Sequence, residues 1–80
     1  MRYPTTETTK RPYRLWDAKA KKALRWRYYS DHKRAHMGAL IEVRWSEIGA
    51  TIEVYNANNG RLLGQYHRRA DTIQFTGGQP

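Results

Sequence analysis

Residues 39–57 read ALIEVRWSEIGATIEVYNA, and the fold turns on whether its two β-branched runs are strands. In Ala39–Trp45, Ile41, Val43 and Trp45 alternate with Glu42 and Arg44. In Ala50–Ala57, Ile52 and Val54 alternate with Thr51, Glu53 and Tyr55. A period of two in β-branched and aromatic residues is the mark of half-buried strands. The four residues between the runs, SEIG, end in Gly49 and predict a tight antiparallel connection.

Toward the carboxyl end, Asn59-Gly60 sits between two strand-like runs. Asn-Gly accepts the positive φ of a tight hairpin turn. The strand that follows, from Arg61 to about His67, would place Leu62 and Tyr66 on one face, with Gly64 marking a bulge or a close backbone approach. A last strand, TIQF, turns Ile73 and Phe75 inward.

Toward the amino end, YRLWDAKAKKALRWRYY (13–29) has two readings. As a hairpin, YRLW and ALRWRYY flank a polar DAKAKK turn; Leu24, Trp26 and Tyr28 face the core, and Arg25, Arg27 and Tyr29 face out. As a helix, Asp17 caps an Ala/Lys run of high helix propensity. The helix would leave Trp26 among Lys22, Arg25 and Arg27, wasting its largest ring, so the hairpin is favoured. One short helix or helical turn within 17–29 stays open. SDHKRAHMG (30–38) reads as a loop between strands.

The expected fold is all-β: a small antiparallel β-barrel or sheet of five to six strands, SH3-like. Residues 1–10 read as a flexible arm, 11–76 as one domain and 77–80 as a flexible tail. Eighty residues bury only ~60% of the unfolded surface, which leaves little room for a deep catalytic cleft. No Ser/His/Asp order, Gly-rich phosphate loop or carboxylate cluster is visible, so the chain is not read as an enzyme. His32 and His36 stand four apart, a spacing that could chelate a metal if helical, but their segment reads as loop. No metal or cofactor is expected.

The chain has no Cys, no apolar leader and no apolar run long enough for a membrane span. The expectation is a cytoplasmic protein that does not engage membranes. Charge says more. Net charge is +8, and residues 1–34 hold eleven of the fifteen Lys and Arg against three acids, while residues 35–80 sum to zero. Such asymmetry points to a polyanion. The candidate nucleic-acid-binding residues are Arg11, Arg14, Lys19, Lys21, Lys22, Arg25, Arg27, Lys33 and Arg34, contacting the phosphate backbone with weak sequence specificity. DNA is ranked ahead of RNA, and oligomeric state is left open. The alternative is a protein-interaction module, a phage- or plasmid-encoded inhibitor or adaptor that docks on an acidic protein surface.

Read together, Arg27-Tyr28-Tyr29-Ser30, Gly38, Glu42-Val43-Arg44-Trp45, Ile52-Glu53-Val54-Tyr55 and Asn59-Gly60-Arg61-Leu62-Leu63 resemble the small C-terminal β-barrel of Mu-type transposases and related integrases, over residues 22–66. The family's Asp-Pro "bar" is SEIG here, and its catalytic domain with an acidic triad is absent. The resemblance implies a small barrel that touches DNA or a transposition or phage protein complex, as an accessory of a mobile element, without strand-transfer chemistry.

Overall fold

The structure, a computed structural model, describes residue 3 and residues 9–77. Five strands and one helix follow in the order β1 (Tyr13–Asp17), β2 (Lys22–Tyr29), α1 (His32–Arg44), β3 (Thr51–Asn56), β4 (Arg61–Arg68) and β5 (Ile73–Gly77). The strands form a single sheet in the order β2-β1-β3-β4-β5, and every neighbouring pair is antiparallel. The small antiparallel sheet expected from the sequence is present, with β2 and β5 as its edges.

One of the two deciding runs is a strand and the other is not. Thr51–Asn56 is the central strand β3, whereas Ala39–Arg44 is the second half of α1. The loop expected at 30–38 is its first half, so the one helix lies at 32–44 and not within 17–29. The cause is visible at the residue level. Asp31 caps the helix: its Oδ1 accepts the Lys33 amide at 2.9 Å and its carbonyl takes the Ala35 amide at 3.1 Å, satisfying donors that a helix start leaves orphaned. Ala35, Gly38, Ala39 and Val43 are the buried helix residues, a 3.6-residue stripe written in small side chains that the β-branched alternation obscured. Of the supposed strand face, only Val43 is buried; Ile41 is exposed and Trp45 is 87% exposed. Small residues let the helix lie close to the sheet. A Cβ on Gly38 would run into the Tyr29 hydroxyl.

The sheet therefore has two unlike faces. On the helix side Leu15, Ile52 and Val54 pack against Ala35, Ala39 and Val43, rimmed by Tyr13, Leu24, Tyr29, Leu63, Tyr66 and Ile73. On the other, open face a smaller core of Trp16, Tyr55 and Ala57 is covered by Tyr3, Ala18 and Ala23. The Tyr3 ring stacks on Tyr55 at 4.8 Å and meets Trp16 edge-on at 5.7 Å. Its hydroxyl donates to Glu53 Oε1 at 2.7 Å, and Gln65 Nε2 donates to the other oxygen. Burial, reinforced by Glu53, pushes the Tyr3 hydroxyl pKa up. Glu42, by contrast, belongs to α1. The arm expected at 1–10 falls largely outside the described residues, as does the tail at 78–80.

The amino-terminal hairpin forms as expected, but its inward pattern differs. Asp17 Oδ1 accepts the Lys19 and Ala20 amides, each at 3.0 Å, so it caps a turn and not a helix. Pairing runs Tyr13↔Tyr29 and Arg14↔Tyr28, then jumps to Trp16↔Ala23, so Leu24–Arg27 stand opposite Leu15 alone. This bulge shifts which residues point inward. Leu24 and Tyr29 reach the helix-side core, while Trp26 is 86% and Tyr28 41% exposed. At the carboxyl end, Gly60 (φ 74°) closes the β3–β4 hairpin as the Asn-Gly pair predicted. A second register shift beside Gly64 separates Leu62, opposite Tyr55, from Tyr66, opposite Ile52, so the two do not share a face. Ile73 and Phe75 of β5 both point to the helix side, and Phe75 meets Tyr66 at 4.9 Å.

Candidate nucleic-acid interface

β2 is an edge strand, so one side of its backbone has no neighbouring strand. Its bulge is pinned on both flanks. Ala23 and Tyr28 keep their pairings with β1, Leu24 and Tyr29 are anchored in the core, and Arg27 Nη2 reaches Glu42 Oε1 on the helix at 2.6 Å. A hydrogen bond to Tyr29, with Glu42 adding to it, raises the Arg27 pKa above the ordinary arginine value. Between these anchors Trp26 adopts φ 66°, the left-handed region that a bulky residue rarely visits. Such a conformation costs about 1–3 kcal/mol. Leaving an indole in water forgoes about 4–6 kcal/mol of burial at the usual area coefficient. Both costs fall on one residue, which makes the position a functional candidate.

Around the indole, Arg25, Trp26 and Tyr28 line a shallow cleft of about 240 Å³. The Arg14 guanidinium lies 4.2 Å from the centre of the Tyr28 ring, a cation–π contact worth about 0.5–1 kcal/mol at an exposed site. Arg14, Arg25, Trp26 and Tyr28 thus form one cluster of cations and rings where β1 meets the edge strand.

The other sequence-nominated cations are spread more widely. Lys19 and Lys21 in the turn and Lys22 at the start of β2 lie at one end of the hairpin, with Lys19 Nζ 3.4 Å from Glu47. Arg11, Lys33 and Arg34 lie toward the opposite end, where Tyr13 faces Tyr29. Arg27 turns to the helix side and is paired with Glu42. The cations therefore do not share a single outward plane with their rings inside. They run along the β2 edge and around its two ends, and two rings stand outside with them. Among the described residues, nothing pairs with the side chains of Lys21, Lys22, Arg25, Lys33 or Arg34.

Sequence reading missed Trp26 and Tyr28 as surface residues. The bulge that puts four residues of β2 opposite Leu15 alone breaks the period of two on which the inward assignment rested. A second surface feature also went unread. Met37, Leu40, Ile41, Trp45 and Ile48 are exposed at helical spacing on and just after α1, and Lys33, Arg34 and Arg44 flank them.

His32 and His36 do stand on successive turns of a helix, their rings 6.2 Å apart. Among the described residues, however, no group of three His, Cys, Asp or Glu side chains comes together. His36 Nδ1 instead shares a 2.9 Å hydrogen bond with the Tyr66 hydroxyl. Burial, with the neighbouring His32 charge, holds the His36 pKa below the ordinary histidine value. No helix among the described residues is long and apolar enough to cross a membrane. Comparison of the chain with models of known families, with curated proteins and with solved structures finds no match.

Proposed function

We propose that this chain is a non-enzymatic nucleic-acid-binding module whose contact surface is the β2 edge and the hairpin turn. The observation that carries the reading is the bulge: an exposed indole on an edge strand, sharing a cleft with Arg25 and Tyr28, with Arg14 over the Tyr28 ring. Cations that no carboxylate neutralises suit phosphates, and exposed rings among them suit bases. Lys21, Lys22, Arg25, Lys33 and Arg34 supply the unpaired charge, while Arg11, Arg14, Lys19 and Arg27 add to the field. A cytoplasmic setting accords with this reading. The transposase resemblance adds little support, because its Glu42–Trp45 segment lies at the end of a helix and not in a strand.

A titration of labelled DNA at two salt concentrations tests the proposal. Binding should weaken steeply with salt, and an Arg25→Ala/Lys22→Ala pair should flatten the logarithmic salt slope by about 1–2, near 0.7–0.9 per lost phosphate contact. Unchanged affinity and slope in the pair would remove the β2 edge from the interface.

The exposed stripe on α1 favours a second reading, a module docking on an acidic protein surface. Met37, Ile41 and Trp45 would make the apolar contact, and Lys33, Arg34 and Arg44 would meet carboxylates. In the same titration such an adaptor would ignore DNA even at low salt.

A further inference from the structure

We infer that Trp26 is a stacking platform for an unpaired base, so that the β2 edge takes single-stranded nucleic acid in preference to duplex. The inference rests on the nucleic-acid reading above and names its substrate class. Three observations carry it.

The first is how the ring is presented. Packing holds both flanks of the bulge while Trp26 takes a left-handed backbone and leaves its ring 86% exposed. A flexible surface side chain needs no such anchoring. The second is the surroundings. The cleft beside the indole is lined by Arg25 and Tyr28, so a base laid on the ring has a second aromatic wall and a cation for its phosphate. The third is the setting on an edge strand. A base inside a duplex already has neighbours on both of its faces, so the indole could stack on it only by unstacking it. An unpaired base offers its π face freely, whatever its identity. A duplex could use only the cations of this surface, and Arg27 is already committed to Glu42.

The test is a fluorescence-anisotropy titration of a labelled dT 15-mer and of a labelled duplex of equal length, with the whole chain and three variants. Trp26→Ala removes the ring. Trp26→Phe keeps a smaller one. Trp26→Asn removes it while suiting the left-handed backbone, so it should melt at or above the wild-type temperature and a binding loss cannot be put down to misfolding. Wild type should bind the single strand more tightly than the duplex. Trp26→Ala and Trp26→Asn should lose about 5- to 150-fold on the single strand with an unchanged salt slope, and little on the duplex. Trp26→Phe should fall between. Equal losses on both substrates, or wild-type affinity of Trp26→Asn for the single strand, would overturn the stacking role and leave the phosphate reading intact. If wild type binds neither substrate at low salt, the nucleic-acid reading itself fails, and this inference with it.

Discussion

Single residues decide how this chain closes, and Gly38 shows it most sharply. In an exposed helix, Gly→Ala gains up to about 1 kcal/mol from propensity. Here the added methyl would strike the Tyr29 hydroxyl, so Gly38→Ala should instead cost about 1–3 kcal/mol as an overpacked contact. Chemical denaturation reads this directly. In a Tyr29→Phe background, which lacks the nearest atom but keeps the ring carbon Cζ at 2.8 Å, the same substitution should cost less without becoming neutral. A full cost in that background would show that the hydroxyl is not the obstacle. Trp26 illustrates the opposite case, a residue whose own stability interest lies in being something else. Its indole gains no burial and its backbone is strained. Proteins retain such local violations where function requires them.

At the scale of elements, most of the sheet was legible and the helix was not. β3, β4 and β5 announced themselves through alternation and an Asn-Gly turn; the β1–β2 hairpin was favoured as the way to bury Trp26, yet it forms with that ring 86% exposed. The helix was hidden because its buried stripe is Ala35, Gly38, Ala39 and Val43. Small side chains give little hydrophobic signal, while Ile41 and Val43 imitate a strand's period of two. What did mark it was chemical: Asp31, ahead of a run free of Pro. Replacing Asp31 with Ala should cost about 0.5–2 kcal/mol, the usual worth of an N-cap, with a matching drop in the midpoint of denaturation and the sheet otherwise unchanged. If the midpoint did not move, the cap would not be what selects helix over strand here. The candidate site was half legible. Its cations could be counted from the sequence, but their distribution followed from a bulge that the even alternation of the arm did not show.

For the whole molecule, the helix-side core makes folding sensitive to pH through His36. Its pKa is depressed in the folded state, chiefly by burial and then by His32. As pH falls below the ordinary histidine value of about 6.5, the unfolded chain takes up the proton first, so stability present at neutral pH is lost on acidification. Melting temperature should therefore fall between pH 7.5 and 5, and His36→Gln should fall less over the same range. Parallel curves for the two proteins would assign the acid sensitivity elsewhere. The open face carries a different consequence. Its small core is closed by Tyr3, whose hydroxyl bond to Glu53 spans fifty positions of the chain. That seam cannot be sewn until β3 has been synthesised and the amino terminus has returned to it. The face is therefore completed only after β3 is in place, and losing Tyr3 would uncover Trp16, Tyr55 and a buried carboxylate in one stroke.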